Sequence, residues 1–380
     1  MGIYPYPDRG GFVVSYLLTR TGMRIEVITS IGDLERLGPE WWELWRRCPF
    51  ATPFQSPAWV INWCRHIGHP QLRTLALREH GRLAGLAPFC LWREPVAGET
   101  LLLLAGTGIS DYLDVLIPPE HESAGVPLIF DWLLSERRGW EVCDWQQLRP
   151  ESPLLRLLAP VDWRAETQAQ EACPVLSLPA SLEQWAGSGP SGLLQQARYA
   201  WRGAEQLGTP RFERAEDANF EALFSALTRL HEARWRARGG AGMLAEEPVR
   251  EFHREAARGL LAAGALRLYG LRLDDQWAAS FYGFQQAGRA YYYLGGFDPA
   301  LGPLSLGTLM VSHAIETAIR EGAREFDFLR GSEGYKYRWG ARDRATYRRT
   351  LRVRAAAPPE SLEPAGKIME QSYGNDGPRR

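Results

Sequence analysis

The sequence predicts a mixed α/β protein of two related halves, each a mixed, largely antiparallel twisted sheet flanked by helices. Three observations carry this. The chain has 380 residues, enough for two domains of ordinary size. Apolar runs with strand alternation are interleaved with runs of helical period along most of its length. One hairpin is also echoed: the stretch LALREHGRLAG from Leu75 to Gly85 resembles GLRLDDQWAA from Gly270 to Ala279. Each is a strand, a tight polar turn and a strand entering small residues. In each half helices precede this hairpin and a strand–helix–strand unit follows it, as two copies of one unit would.

The elements follow in order. Residues 1–22 read as an N-terminal extension or an upstream mis-start, because Met23 directly precedes the first good strand, Arg24–Thr29. Asp33 is placed to cap a helix through Trp41, Trp42 and Trp45, and Ser56-Pro57 opens another. The hairpin Leu72–Arg78 and Leu83–Trp92 comes next, then strands at Leu101–Leu104 and Asp111–Val115, a helix Ala124–Arg137 and a strand Trp140–Trp145. The second half begins at Pro174–Leu178. Helices Ser191–Leu207 and Asp217–Arg238 flank a strand Arg211–Arg214, and Pro248 opens a helix to Ala263. A meander, Ala265–Leu273, Gln276–Gln285 and Arg289–Gly295, leads to helix Ser305–Glu321, strand Arg324–Leu329 and a last strand Thr346–Arg354. The domains expected are thus 23–173, structural in role, and 174–355, catalytic, with a disordered tail over 356–380 rich in Pro, Gly and charge.

Net charge is −1, so no global field favours nucleic acid or an anionic membrane. The apolar run Phe12–Leu18 is too short for a span. The five cysteines are scattered without metal spacing, as reduced core cysteines of a cytoplasmic protein would be. No nucleophile elbow, phosphate-binding P-loop, dinucleotide fingerprint or metal-spaced His cluster is present.

The stretch Glu325–Gly340 stands apart. An apolar strand with Asp327 in its middle breaks at Gly331 into a loop of Tyr335, Lys336, Tyr337 and Trp339 beside three glycines. That composition fits backbone bent close to a ligand. Only two residues of the chain are lysines, Lys336 and Lys367. A compact ammonium among so many Arg forks points to a specific use. Ser305, Leu306, Gly307 and Thr308 open a helix whose first turn either seats a phosphate or is simply capped by Ser305, with Gly307 relieving a clash. Arg234 and Trp235 sit at a helix C-terminus, where basic residues suit the dipole and can also meet an anionic or sugar-like acceptor. Tyr282 lies in a strand of small residues, such as often marks a bulge or a ligand alongside.

These pieces together resemble the GNAT-superfamily acyltransferases of the cellulose-biosynthesis CelD/BcsL type, related to the Fem-type transferases built of two tandem GNAT-like domains. The residues that carry the resemblance are Pro53–Trp59, Asp111–Val115, Ser305–Leu309, Phe326–Gly331 and Tyr335–Gly340. It covers Met23 to Arg354. It implies an acyl-CoA donor, acetyl-CoA being the simplest, no metal, and an amine, amino-sugar or other saccharide acceptor in exopolysaccharide or envelope synthesis, with polysaccharide machinery as a partner. It places the donor on Ser305, Leu306, Gly307, Thr308 and Arg330, and the acceptor near Arg234, Trp235, Tyr282 and Tyr337. Glu333, then Asp327, would be the base, Tyr335 or Tyr337 the acid, and Lys336 would steady developing negative charge. Two alternatives stand beside it: an aminoacyl-tRNA donor, as Fem-type enzymes use, and a non-catalytic GNAT-like partner.

Overall fold

A computed structural model describes residues 22–353; the expected extension and tail lie outside the described residues, apart from Gly22. The strands are β1 (Met23–Ile28), β2 (Gln71–Leu72), β3 (Thr74–Glu79), β4 (Arg82–Ala87), β5 (Phe89–Arg93), β6 (Thr100–Leu104), β7 (Val142–Leu148), β8 (Trp163–Ala169), β9 (Cys173–Ser177), β10 (Pro210–Arg214), β11 (Leu266–Leu273), β12 (Gln276–Gln286), β13 (Arg289–Phe297), β14 (Glu325–Asp327), β15 (Arg342–Arg344) and β16 (Tyr347–Val353). The helices are α1 (Ile31–Arg36), α2 (Gly38–Arg47), α3 (Pro57–Trp63), α4 (Pro119–Ser135), α5 (Leu182–Ser188), α6 (Ser191–Glu205), α7 (Phe220–Arg236), α8 (Glu247–Ala262), α9 (Leu306–Arg320) and α10 (Gly334–Arg338).

The fold is mixed α/β, with twisted mixed sheets flanked by helices. The two halves repeat one order: a strand, helices, an antiparallel hairpin, then a parallel pair joined by a helix. The echoed hairpins match to the residue. Both carry a register shift one step before the turn, at Leu77/Arg78 and at Leu271/Arg272. Both turns begin with a left-handed residue, His80 at φ 49° and Asp274 at φ 49°. The parallel pairs are β6 with β7 and β13 with β14.

The sheets do not follow the expected division at residue 173. The second sheet runs β10-β11-β12-β13-β14-β9-β15, and the first half's larger sheet runs β2-β5-β6-β7-β16-β8. Strand β16, near the end of the described chain, therefore lies inside the first half, paired with β7 on one side and β8 on the other. Arg348 of β16 reaches the buried Asp144 of β7 with Nε at 2.6 Å and Nη2 at 2.8 Å. Four residues earlier, Arg344 of β15 approaches Asp327 of β14 at 3.4 Å and Glu325 at 2.9 Å.

Three expectations change. Ser30, not Asp33, caps the first helix, accepting from Asp33 N, and Pro39 starts a second helix where one was expected. Asp111–Val115 is no strand but a loop; its only ladder contact nearby is the bridge Leu86 to Leu116. The residues around Lys336 form the short helix α10 rather than an open loop. All five cysteines are buried and free, in keeping with core thiols.

The halves share one core. Trp59 of α3 is fully buried, edge-on to Phe252 of α8 and Tyr293 of β13, with centroids 4.9 and 5.3 Å away, and donates to Ser110 Oγ. Phe54 packs on Tyr112, Phe284 and Tyr293. Because β16 carries a charge that a buried carboxylate of β7 requires, Arg348→Met leaves Asp144 without its partner. The expected loss is about 3–5 kcal/mol, read as a lower midpoint in urea unfolding with the slope unchanged.

Candidate active site

Strands β13 and β14 run parallel but pair over only three positions, ending at Tyr291 with Asp327. Beyond that, β13 continues to Phe297 while the other chain turns away. A bulge at Tyr293, where the pairing steps from Gly283↔Tyr292 to Tyr282↔Leu294, tilts β13 further. The two carboxyl ends thus open into a gap, and past Tyr291 the β13 edge has no neighbouring strand on that side. Crevices at the carboxyl ends of parallel strands are where α/β sheets take ligands.

One lip of the gap is the turn Leu329–Gly331. Leu329 is left-handed at φ 57° and Gly331 is at φ 107°. A non-glycine residue in that region costs roughly 1–2 kcal/mol, so the turn needs an external hold. Lys336 supplies it. Its side chain is 3% exposed, and Nζ donates to the carbonyls of Leu329 at 3.1 Å, Arg330 at 2.7 Å and Gly331 at 3.1 Å. Glu333 Oε2 lies 2.8 Å from the same nitrogen. A tetrahedral ammonium can gather three carbonyls that converge on a point, and a flat guanidinium cannot. Lys336 is therefore spent on the turn and holds no ligand phosphate.

The other half walls the gap. Tyr112 Oη donates to Asp327 Oδ2 at 2.7 Å, Tyr293 Oη donates to the Ile109 carbonyl at 2.8 Å, and Arg330 Nε reaches Asp111 at 2.8 Å. Asp327 is fully buried and also accepts from Leu329 N at 2.8 Å. Burial pushes its carboxyl up to about 6, against the lowering pull of Tyr112 and Arg344. It fastens the turn and the two halves, and does not open on the gap as a base would. Arg330 is likewise held by Asp111 and is not free for a donor phosphate.

The N-terminus of α9 forms the far side. Ser305 is left-handed at φ 57°, and its hydroxyl accepts from Gln196 rather than capping the helix. Gly307 is exposed, and a Cβ there would meet only Phe297 at 3.9 Å, so the glycine relieves no clash. The first turn carries no acid. Its equivalent in the first half, the start of α4, carries Glu120 and Glu122. There, too, the space beside the parallel pair is filled: Leu113 N bonds the Gln147 carbonyl and Leu116 pairs with Leu86. Only the second half keeps an open turn suited to an anion.

Residues 191–337 match the family profile of the acetyltransferase (GNAT) domain. That segment contains the gap, the α9 turn and most of the Lys336 helix. No curated protein sequence matches the chain. Among solved structures it is similar to FemX (TM-score 0.58, 11% identity, 82% of this chain and 95% of that one). It is similar to L-PGS from Bacillus licheniformis (TM-score 0.52, 11% identity, 85% and 93%). It is also similar to a conserved protein of unknown function from Bacteroides thetaiotaomicron (TM-score 0.52, 10% identity, 86% and 99%). At such identities the likeness is one of fold.

Within the GNAT segment the remaining candidates separate. Glu333 is 29% exposed at the start of α10, with one oxygen on Lys336. Tyr335 keeps its hydroxyl end covered while about a third of the residue meets solvent, with its ring edge-on to Phe328. Burial, then the neighbouring Tyr292 and Glu333, push its hydroxyl well above the usual tyrosine value, so it keeps its proton. Arg234 donates to the Gly295 carbonyl at 3.2 Å and stands beside Tyr292 and Tyr335. Tyr337 points away, bonding Asp343 at 2.7 Å. Trp235 lies under the glycine turn at Gly242. Tyr282 is wholly buried against Phe284, His253 and Tyr293 and does not line the gap.

Sequence reasoning singled out none of five residues that belong here as site residues. Tyr292 faces the Glu333–Arg234 cluster, and only its place in a run of three tyrosines hinted at it. Arg238 lies beside Arg234 and Tyr335, in the turn just past the end of α7. His231 bonds the Gly295 carbonyl through Nδ1 at 3.3 Å, and burial lowers it to about 4, so it is neutral at pH 7. Asp111 and Tyr112 were read as strand residues. Among the described residues no group of His, Cys, Asp and Glu could hold a metal.

Lys336→Met should lower stability by about 3 kcal/mol or more, and Lys336→Arg should not restore it; a lysine acting only on substrate would leave unfolding unchanged. Tyr112→Phe should cost about 1–3 kcal/mol at pH 8 and less at pH 5. The sign follows from Asp327, whose folded value exceeds its unfolded one: the folded state gains stability as pH falls through 6 toward 4. Once the carboxyl is protonated, the lost hydroxyl matters less. Urea titrations at the two pH values test it.

Proposed function

We propose that the protein is an acyl-CoA-dependent N-acyltransferase acting on an amine or amino-sugar acceptor in envelope or exopolysaccharide synthesis. The observation that carries this is the acid-free, sterically open first turn of α9 beside the unpaired edge of β13, inside the segment that matches the GNAT domain. Ser305 to Thr308 would cradle the donor pyrophosphate on backbone N–H groups. The thioester carbonyl would then lie along β13, where strand N–H groups turned toward the gap would polarise it as an oxyanion hole does, an effect worth about 3–4 kcal/mol per donor.

The acceptor nitrogen attacks the carbonyl carbon, the N–C bond forms and the C–S bond breaks. Glu333 takes the proton from nitrogen through the oxygen not held by Lys336, directly or through water. Tyr335 returns a proton to the leaving thiolate. Arg234 and Arg238, at the end of α7 and just past it and without an ion-pair partner among the described residues, would meet an anionic group on the acceptor. No helix among the described residues is long and apolar enough to cross a membrane, and the reaction is assigned to the cytoplasm, where CoA thioesters form.

The FemX likeness over 82% of the chain favours a second reading, an aminoacyl-tRNA donor. The net charge of −1 weighs against it, because tRNA binding draws on basic surface. Thermal unfolding with acetyl-CoA, desulfo-CoA and ATP separates the two. At 100 times its Kd a ligand adds about 2.7 kcal/mol, or about 5–10 °C here. The expected result is a CoA-specific rise that Gly307→Glu abolishes, while the variant's own melting point does not fall, since its side chain meets open space. Absence of any rise with acetyl-CoA and longer acyl-CoAs would remove the acyl-CoA reading.

A further inference from the structure

The first half holds a cavity of about 210 Å³, bounded among others by Cys48, Gln55, Asp114, Val115, Arg149 and Ser152. At ~30 Å³ per water it has room for roughly seven waters. A guanidinium and a carboxyl group face it without touching each other, and burial pushes the carboxyl up to about 7 against the lowering pull of Arg149. Asp114 Oδ1 accepts from Ser152 Oγ at 2.9 Å and Val115 N at 2.8 Å, while Oδ2 takes no hydrogen bond from any described residue and is not sealed off. Arg149 is 9% exposed. One Nη2 hydrogen goes to the Phe50 carbonyl, and its face lies 5.6 Å from the Tyr112 ring centroid. Among the described residues its other N–H groups meet no acceptor and no carboxylate comes within ion-pair distance. Most other part-buried arginines here, such as Arg78, Arg330 and Arg348, have one. Both groups are open to the cavity, so the outer carboxyl oxygen of Asp114 and the unshared N–H edge of Arg149 are available to a polar occupant.

We infer that this cavity is a binding site, separate from the β13–β14 gap, for a small carboxylate that bears a neighbouring amine or hydroxyl, an amino acid being the plainest case. The carboxylate meets the free edge of Arg149 in the forked geometry that guanidinium favours. The adjacent donor meets Asp114 Oδ2. The Arg156–Glu122 ion pair also lines the cavity, and both of its side chains are partly open to solvent. The site also has a route to the gap. Arg149 lies over Tyr112, Tyr112 bonds Asp327, and Asp327 holds Leu329 N in the strained turn. An occupant that draws on Arg149 is three contacts from the lip of the gap. The inference does not depend on the identity of the acyl donor.

The experiment is isothermal titration of the whole protein with each of the twenty common L-amino acids, L-lactate and inorganic phosphate. A crystal soaked with the responding acid accompanies it. One or more of the amino or hydroxy acids should bind with one-site stoichiometry, and density should lie between Arg149 and Asp114. Asp114→Asn, which keeps the volume and the Ser152 and Val115 bonds, should weaken binding at least tenfold. Its response to acetyl-CoA should stay as in the wild type. No heat and no density at 10 mM of every probe, binding equal in Asp114→Asn, or phosphate binding as well as the acids would each overturn the assignment.

Discussion

A single ammonium holds the edge of the candidate site in place. The turn after β14 places Leu329 in a left-handed conformation and points three successive carbonyls the same way. Without a cation at their focus those dipoles would repel one another and the turn would relax. Lys336 gathers them from the next helix, and in doing so also fixes where Glu333 and Tyr335 stand, three residues and one residue before it, at the cap and in the first turn of a five-residue helix. The gap between β13 and β14 exists because this turn leads the chain away from the sheet. The contacts of Asp327 and Arg330 with the other half hold the same turn from its far side.

A second device complements it. The segment from Arg342 to Val353 sends β15 into the second sheet and β16 into the first. Arg344 and Arg348, four residues apart, serve buried aspartates at matching places in the two halves, Asp327 on β14 and Asp144 on β7. The related halves have thus diverged in use while keeping a common clasp. In the first, the space beside the parallel pair is filled by its own loop, and that loop goes on to wall the gap of the second.

Much of this was legible in the sequence. Strand and helix periods placed most elements, because local alternation is what burial on one face imposes. The hairpin echo held down to its register shift. The rarity of Lys336 drew attention to it, as a residue steadying developing negative charge, whereas its Nζ holds three backbone carbonyls. The task itself was not legible, because a cage of carbonyls depends on a left-handed turn seven residues upstream. The alternation of Asp111 to Val115 mimicked a strand; in fact each acid answers a distant partner, Arg330 or Ser152, which no local pattern encodes. Tyr337 differed from Tyr335 only in the direction it leaves a five-residue helix. The placement of β16 in the first sheet is a pairing across roughly 200 residues, and sequence alternation says nothing about which edge a strand will find.

That long-range pairing has a consequence for how the protein is made. On the ribosome β7 emerges early, yet the strand that covers its edge is among the last described residues to be synthesised. At ~5–20 residues per second the interval is about 10–40 s, long compared with the microseconds in which hairpins form. For that time β7 presents an open ladder with Asp144 unneutralised beside it. A carboxylate on a waiting strand edge discourages the wrong neighbour, so the same aspartate that later demands Arg348 can guard the vacancy until Arg348 arrives.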